Sequence, residues 1–334
     1  MSNKIMSKLD LGLASSNVNA YLDTAAELSV IGRKNHHQVT EKGVPLVYDM
    51  LIKITAPTFN NSNVPYIEGA CYTVPNNWQT RNAVRMAHFL RVEQREEAGV
   101  SKQSIGRYAK TLRLNMDSTM FGKAYDRTAV STATVQRIYA YSDIDDLGSA
   151  PASGDVFRGG VWDYSQLAQF TEDDTSGVTT GDPFYLNVCG GHSAVAPGPY
   201  DYVGVLKAYN QRRQTTLDDS TVTPGGDTQF IDSDSPFFRI PIQDVGEDTY
   251  VGITLDEQDN PPYSRGVDNS AGGDTNDAML VQPQEWFQIG QTGSLAVAEF
   301  RVQAPLGLIK LFFNNMADSQ EVLVEAMCLG TYEM

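Results

Sequence analysis

The chain has 334 residues, 41% of them apolar and 20% charged, so it can bury sizeable cores and is not a disordered polymer. Its net charge of −16 is unevenly divided: residues 1–140 carry 17 Lys and Arg against 11 Asp and Glu, and residues 141–334 carry 8 against 30. Such an acidic surface argues against sequence-specific nucleic-acid binding, although the first 140 residues could face something anionic, and no apolar run approaches the ~20 residues of a membrane span.

In chain order, the first 23 residues lack the apolar stretch of a secretory signal and carry Asp10 and Asp23, so none is expected. Cys71, Cys189 and Cys328 form no Cys-x-x-Cys pair and are expected to be thiols in a reducing compartment. Residues 1–40 read as an N-terminal arm. Within it the spacing of Val18, Tyr21, Leu22, Ala25 and Leu28 predicts a short amphipathic helix over 17–31, closed by Gly32. That face is too apolar to stay in water, and a helix so short needs a partner surface.

Strand signals dominate from residue 44 onward. β-Branched and aromatic runs predict strands at 44–54, 66–74, 106–114, 129–141, 183–189, 201–209, 236–242, 249–255, 285–290, 295–302, 306–313 and 321–329. Loops rich in Gly, Asp, Ser, Thr and Pro separate them, and the loop from Asp256 to Asp277 is long enough to suggest a function at an exposed face. One strong helix interrupts this pattern, from about Trp78 to Ala98. At 100° per residue, Arg81, Arg85, His88, Arg91 and Arg95 fall within an arc of roughly 120°. That arc is either a solvated basic face or a contact face for an acidic neighbour or another anionic surface. The expected fold is mainly β: two jelly-roll sandwiches in tandem, at 41–175 with the inserted basic helix and at 176–334 with long acidic loops.

The chain offers little enzyme chemistry. Its histidines are His36, His37, His88 and His192; GHSAV (191–195) lacks the last glycine of a nucleophile elbow, and no histidine follows Ser193. Nucleotide-binding glycine motifs and His-Glu-x-x-His are missing, and the carboxylates cluster as solvated loops do. No enzymatic activity and no nucleotide or haem cofactor are expected. Calcium is the one ligand worth carrying. Asp143, Asp145 and Asp146 begin like an EF-hand loop, but Leu147 sits at a ligand position and Gly154 where the closing glutamate belongs; Asp232 and Asp234 are further oxygen donors.

The C-terminal third, AVAEFRVQAPLGLIKLFFNN followed by EVLVEAMCLGTYE, pairs strands across an Ala-Pro-Leu-Gly-Leu-Ile turn and closes near Gly-Thr-Tyr. It resembles the last strands of the double jelly-roll major capsid proteins of tailless, membrane-containing icosahedral bacteriophages of the corticovirus, autolykivirus and finnlakevirus groups. The resemblance implies a structural virion protein that self-assembles into homotrimeric capsomers. Its expected partners are neighbouring capsomers, other capsid proteins and a membrane beneath the shell, with assembly in the host cytoplasm. In that role Arg81, Arg85, His88, Arg91 and Arg95, with Val18, Tyr21, Leu22 and Leu28 of the arm, are the expected interface residues. A carbohydrate-binding or adhesion module using Trp78, Trp162 or Trp286, or another virion component such as a spike or tail protein, is the alternative.

Overall fold

Alternation of buried and exposed positions runs through most of the long strands and sets which face of each one turns inward. The computed structural model describes residues 3–11, 16–32, 35–56, 66–106, 109–120, 135–142, 156–157, 162–172, 179–193, 200–213, 281–290, 297–315 and 321–334. In chain order these form β1 (Lys4–Asp10), β2 (Ser16–Asp23), α1 (Thr24–Gly32), β3 (Leu46–Thr55), β4 (Tyr66–Thr73), α2 (Trp78–Glu97), β5 (Val135–Arg137), β6 (Gln166–Glu172), β7 (Thr179–Asn187), β8 (Tyr202–Gly204), α3 (Val205–Arg213), β9 (Gln282–Gly290), β10 (Val297–Pro305), β11 (Leu308–Asn315) and β12 (Glu321–Glu333).

Two sheets face each other. One has the order β1-β12-β3-β10 and the other β5-β2-β11-β4-β9; all pairs are antiparallel except β2 with the short β5. The chain crosses from sheet to sheet at nearly every step, and its first strand pairs with its last, Ile5 opposite Ala326 and Leu9 opposite Val322. Between the sheets lie Met50, Ile52 and Ile54 of β3, Phe300 and Val302 of β10, Leu311 and Phe313 of β11, and Val322 and Val324 of β12, all buried. Phe287 of β9 stacks on Phe300 at 5.6 Å, joining the two sheets, and its ring lies over Gly69 of β4. Burying rings of this size dominates the stability of such a core.

The corner from β10 into β11 is a tight turn in which the Gly307 N–H donates to the Ala304 carbonyl at 3.0 Å, with Pro305 at its second position. Leu306 takes φ 61° there, a place that favours glycine, and is held by complete burial and by its N–H bond to the Leu46 carbonyl at 2.7 Å.

Most of the described residues between β4 and β9 form a second unit, while β5 joins the sandwich. α2, α3 and the three-stranded sheet β6-β7-β8 pack against the outer face of the five-stranded sheet. Tyr21, Val74, Leu306 and Leu308 enter this second core from the sandwich side, and Ala83, Val84, Leu112, Leu186 and Val203 from the inserted side.

Four expectations are corrected. The predicted boundary near residue 175 does not divide the sheets, because β1 to β4 pair with β9 to β12 from the other end of the chain. The predicted arm is no arm: β1 and β2 are integral strands, and helix begins only at Thr24. Val18, Ala20 and Leu22 alternate into the sandwich and Tyr21 faces the second core; a strand buried on both faces and running into a helix imitates the i, i+3, i+4 spacing of a longer helix. In the stretch 106–114, the described residues 109–114 are not a strand, and side chains take the place of ladder partners. The Leu114 N–H donates to Gln38 Oε1 at 2.6 Å and the Arg113 N–H to Ser165 Oγ at 2.9 Å. The stretch 201–209 gives three residues of strand and then α3, as its Leu, Lys, Ala, Gln and Arg content favours. The expected strands at 236–242 and 249–255 lie outside the described residues.

Candidate functional site

α2 begins where Asn77 caps it, its side-chain oxygen accepting the Thr80 N–H at 3.0 Å. Thr80, Ala83, Val84 and Ala87 turn into the second core. Asn82 donates to the Tyr209 hydroxyl of α3 at 3.3 Å, and Gln94 fixes the helix to β6 by exchanging bonds with Ala168 at 2.9 and 3.1 Å.

The basic arc divides lengthwise. Arg91 donates to the Thr111 carbonyl at 2.8 Å and Arg95 to the Ala109 carbonyl at 3.4 Å, so both tie the helix to the segment that follows it. Burial and the neighbouring guanidinium groups of Arg95 and Arg113 push Arg91 down to about 10. His88 is buried against Gly43. Of the five, only Arg81 and Arg85 are exposed and Arg91 and Arg95 are half-buried, because an arc this wide spans both the inner flank and the outer crest of a helix lying on a core.

The crest carries more than charge. Trp78, 43% exposed, and Phe89, 56% exposed, share it with Arg81 and Arg85. Trp78 packs edge-on against Tyr209 at 6.4 Å. Two open aromatic rings interleaved with two arginines match the composition of protein interface hot spots. Phe89 lay outside the sequence-predicted residues and Trp78 was a candidate only for sugar stacking, although their spacing from Arg85 places both on its face. Val297 and Met327 are also exposed, on the outer face of the four-stranded sheet.

The other predicted interface residues do not join this crest. Val18, Tyr21, Leu22 and Leu28 are all buried in the chain's own cores, which removes them as an assembly surface. Tyr21 donates to Asp117 at 2.9 Å, and Lys310 stands 3.4 Å from the same carboxylate. Asp143, Asp145, Asp146, Asp232 and Asp234 lie outside the described residues, among which no group of three or more His, Cys, Asp or Glu could hold a metal. His192 is buried and accepts the Gly204 N–H at 3.2 Å, and Ser193 is buried beside it. Trp162 is buried, with Arg113 over its ring at 5.1 Å, while Trp286 on edge strand β9 is 60% exposed.

Sequence reasoning also missed a buried polar knot. Asp23 accepts from the Ala26 N–H at 3.1 Å, Gln38 Nε2 at 2.9 Å and the Tyr164 hydroxyl at 3.1 Å, and Arg137 donates to that hydroxyl at 2.7 Å. Burial, only partly offset by the Ala26 N–H, pushes the Asp23 carboxyl up to about 6. The knot joins α1, the strand edge and the inserted unit, and it borders no described cleft. Its only sequence signal is an acidic residue ahead of a helical run, the mark of an N-cap.

Comparison with protein families, with curated proteins and with solved structures found no match for this chain.

Proposed function

We propose that the chain is the major capsid protein of an icosahedral virus shell, a structural protein whose principal partner is itself. The observation that carries the reading is the winding: eight antiparallel strands in two sheets, with the first paired to the last and the fourth to the fifth across the inserted unit. That is the winding of a jelly roll, which leaves little free sheet edge on a protein that must work at very high local concentration. On this reading the described residues complete one jelly roll, where the resemblance implied two, and the inserted unit decorates one of its faces. Homotrimeric capsomers, contacts with neighbouring capsomers and other capsid proteins, a membrane beneath the shell and residence in the virion are part of the same proposal. The crest of α2 supplies a contact of suitable chemistry, and a shell repeats it many times, so individually small terms add up.

Sedimentation velocity of the full chain at rising concentration tests this. A shell subunit gives discrete oligomers or fast-sedimenting particles whose fraction falls between 0.1 and 1 M salt. A monomer at all concentrations rejects it. One observation favours a second reading, a carbohydrate-binding module: Trp286 is exposed on an edge strand, where a sugar ring could stack. A monomer retained on a glycan array, with retention lost in Trp286→Ala, would establish that alternative.

A further inference from the structure

Beyond the crest, toward the C-terminal end of α2, a pocket of about 130 Å³ opens between the helix and the turn after it. His88, Arg95, Lys102 and Lys110 line it, together with apolar side chains including Val92 and two exposed carboxylates, Glu41 and Glu96. Three permanent cations therefore face two anions. Among the described residues no ion pair within 4.0 Å joins any of them, so the cations are not neutralised by their neighbours.

The second observation is that two buried nitrogen atoms of pocket-lining side chains are unanswered. His88 is only 5% exposed, yet its Nδ1 is buried without a hydrogen-bond partner, and Arg95 Nε is buried and equally unpartnered. Buried polar atoms without partners are rare and costly, and here two lie at one cationic pocket. Burial and the charges of Arg95, Arg91 and Lys102 hold the His88 imidazole below its ordinary range, which reports a local field that an anion would relieve.

We infer that the pocket beside His88, Arg95, Lys102 and Lys110 binds a phosphoryl group. A tetrahedral oxyanion offers several oxygens at once, enough to accept from the Arg95 guanidinium and from the ammonium groups of Lys102 and Lys110. A single carboxylate presents fewer oxygens and in one plane. The phosphoryl group has two possible sources, free phosphate or the backbone of a nucleic acid, and both present the same chemistry to the pocket. The site is independent of the assembly reading, since it lies within one chain and off the crest.

Titration calorimetry of the full-length chain with inorganic phosphate, in buffer of matched ionic strength, tests the inference. Lys102 is exposed, so Lys102→Gln should leave the melting temperature unchanged while weakening phosphate binding about tenfold. Arg81→Gln with Arg85→Gln, on the crest of the same helix, should bind phosphate as the wild type does. A short oligothymidylate that competes with phosphate identifies a nucleic-acid backbone as the source; one that does not compete identifies free phosphate. Absence of saturable phosphate binding in the wild type, or equal weakening in the crest variant, would overturn the site.

Discussion

Asp23 is a carboxylate closed inside the protein with three hydrogen-bond donors and no ion pair as close as 4.0 Å among the described residues. Its folded-state value of about 6 lies above the ordinary 3.8, so between those values the native state holds a proton that the unfolded chain has released. Stability attributable to this group is therefore greatest below about pH 4, declines as pH rises to about 6, and stays lower above it, by roughly 3 kcal/mol in all. Denaturant midpoints from pH 4 to 7 should show this decline in the wild type and a flatter profile in Asp23→Asn. Parallel profiles would show that Asp23 titrates as an ordinary surface acid. Gly69 gives a second test at this scale. A methyl group there would stand 2.3 Å from the Phe287 ring and 2.6 Å from the Phe312 carbonyl, so Gly69→Ala should destabilise by about 1–3 kcal/mol, read as a lowered unfolding midpoint. Neither effect was legible in the sequence, since both depend on what long-range pairing brings over the residue.

At the scale of elements, α2 was legible because twenty residues of consistent period and an Asn cap leave little choice. The strands β3, β4, β10, β11 and β12 were legible for the matching reason, alternation between turn residues. β1 and β2 were not, because Met6 and Tyr21 are apolar on the outward face and Ser7 is polar on the inward one, which blurs the period of two. The basic face of α2 was found, but its inner half could not be told from its outer half without knowing which carbonyls Arg91 and Arg95 reach. That division decides which arginines a charge-reversal experiment should target. Arg81→Glu with Arg85→Glu should block assembly while moving subunit stability by no more than about 0.5 kcal/mol, as surface substitutions do. Arg95→Glu should instead lower the melting temperature, through loss of its bond to the Ala109 carbonyl. Phe89→Ala should weaken assembly without destabilising the fold. Normal assembly in both the Arg81/Arg85 and Phe89 variants would reduce the crest to a solvated surface.

For the whole molecule, the β-rich class was legible from composition and loop chemistry, whereas the winding was not. No local pattern indicates that β1 will pair with β12 across more than three hundred residues, or that α2, α3 and β6 to β8 form an insertion into one sandwich. The consequence for truncation is direct. Deleting residues 1–35 removes β1, β2 and α1 and exposes an edge of β12 and an edge of β11, so the remaining chain should fail to give a cooperative unfolding transition. The charge asymmetry along the chain stands, but 14 of the 30 Asp and Glu of residues 141–334 lie in 214–280, including the Asp256–Asp277 loop expected to face outward, outside the described residues. What the described residues supply is a wound sandwich, an inserted unit on one of its faces and an aromatic-basic crest on that unit. Negative-stain electron microscopy of the purified full-length chain tests the capsid assignment most directly: closed particles of uniform size with a regular capsomer lattice are the predicted result, and the absence of regular particles or discrete oligomers at any protein or salt concentration would contradict it.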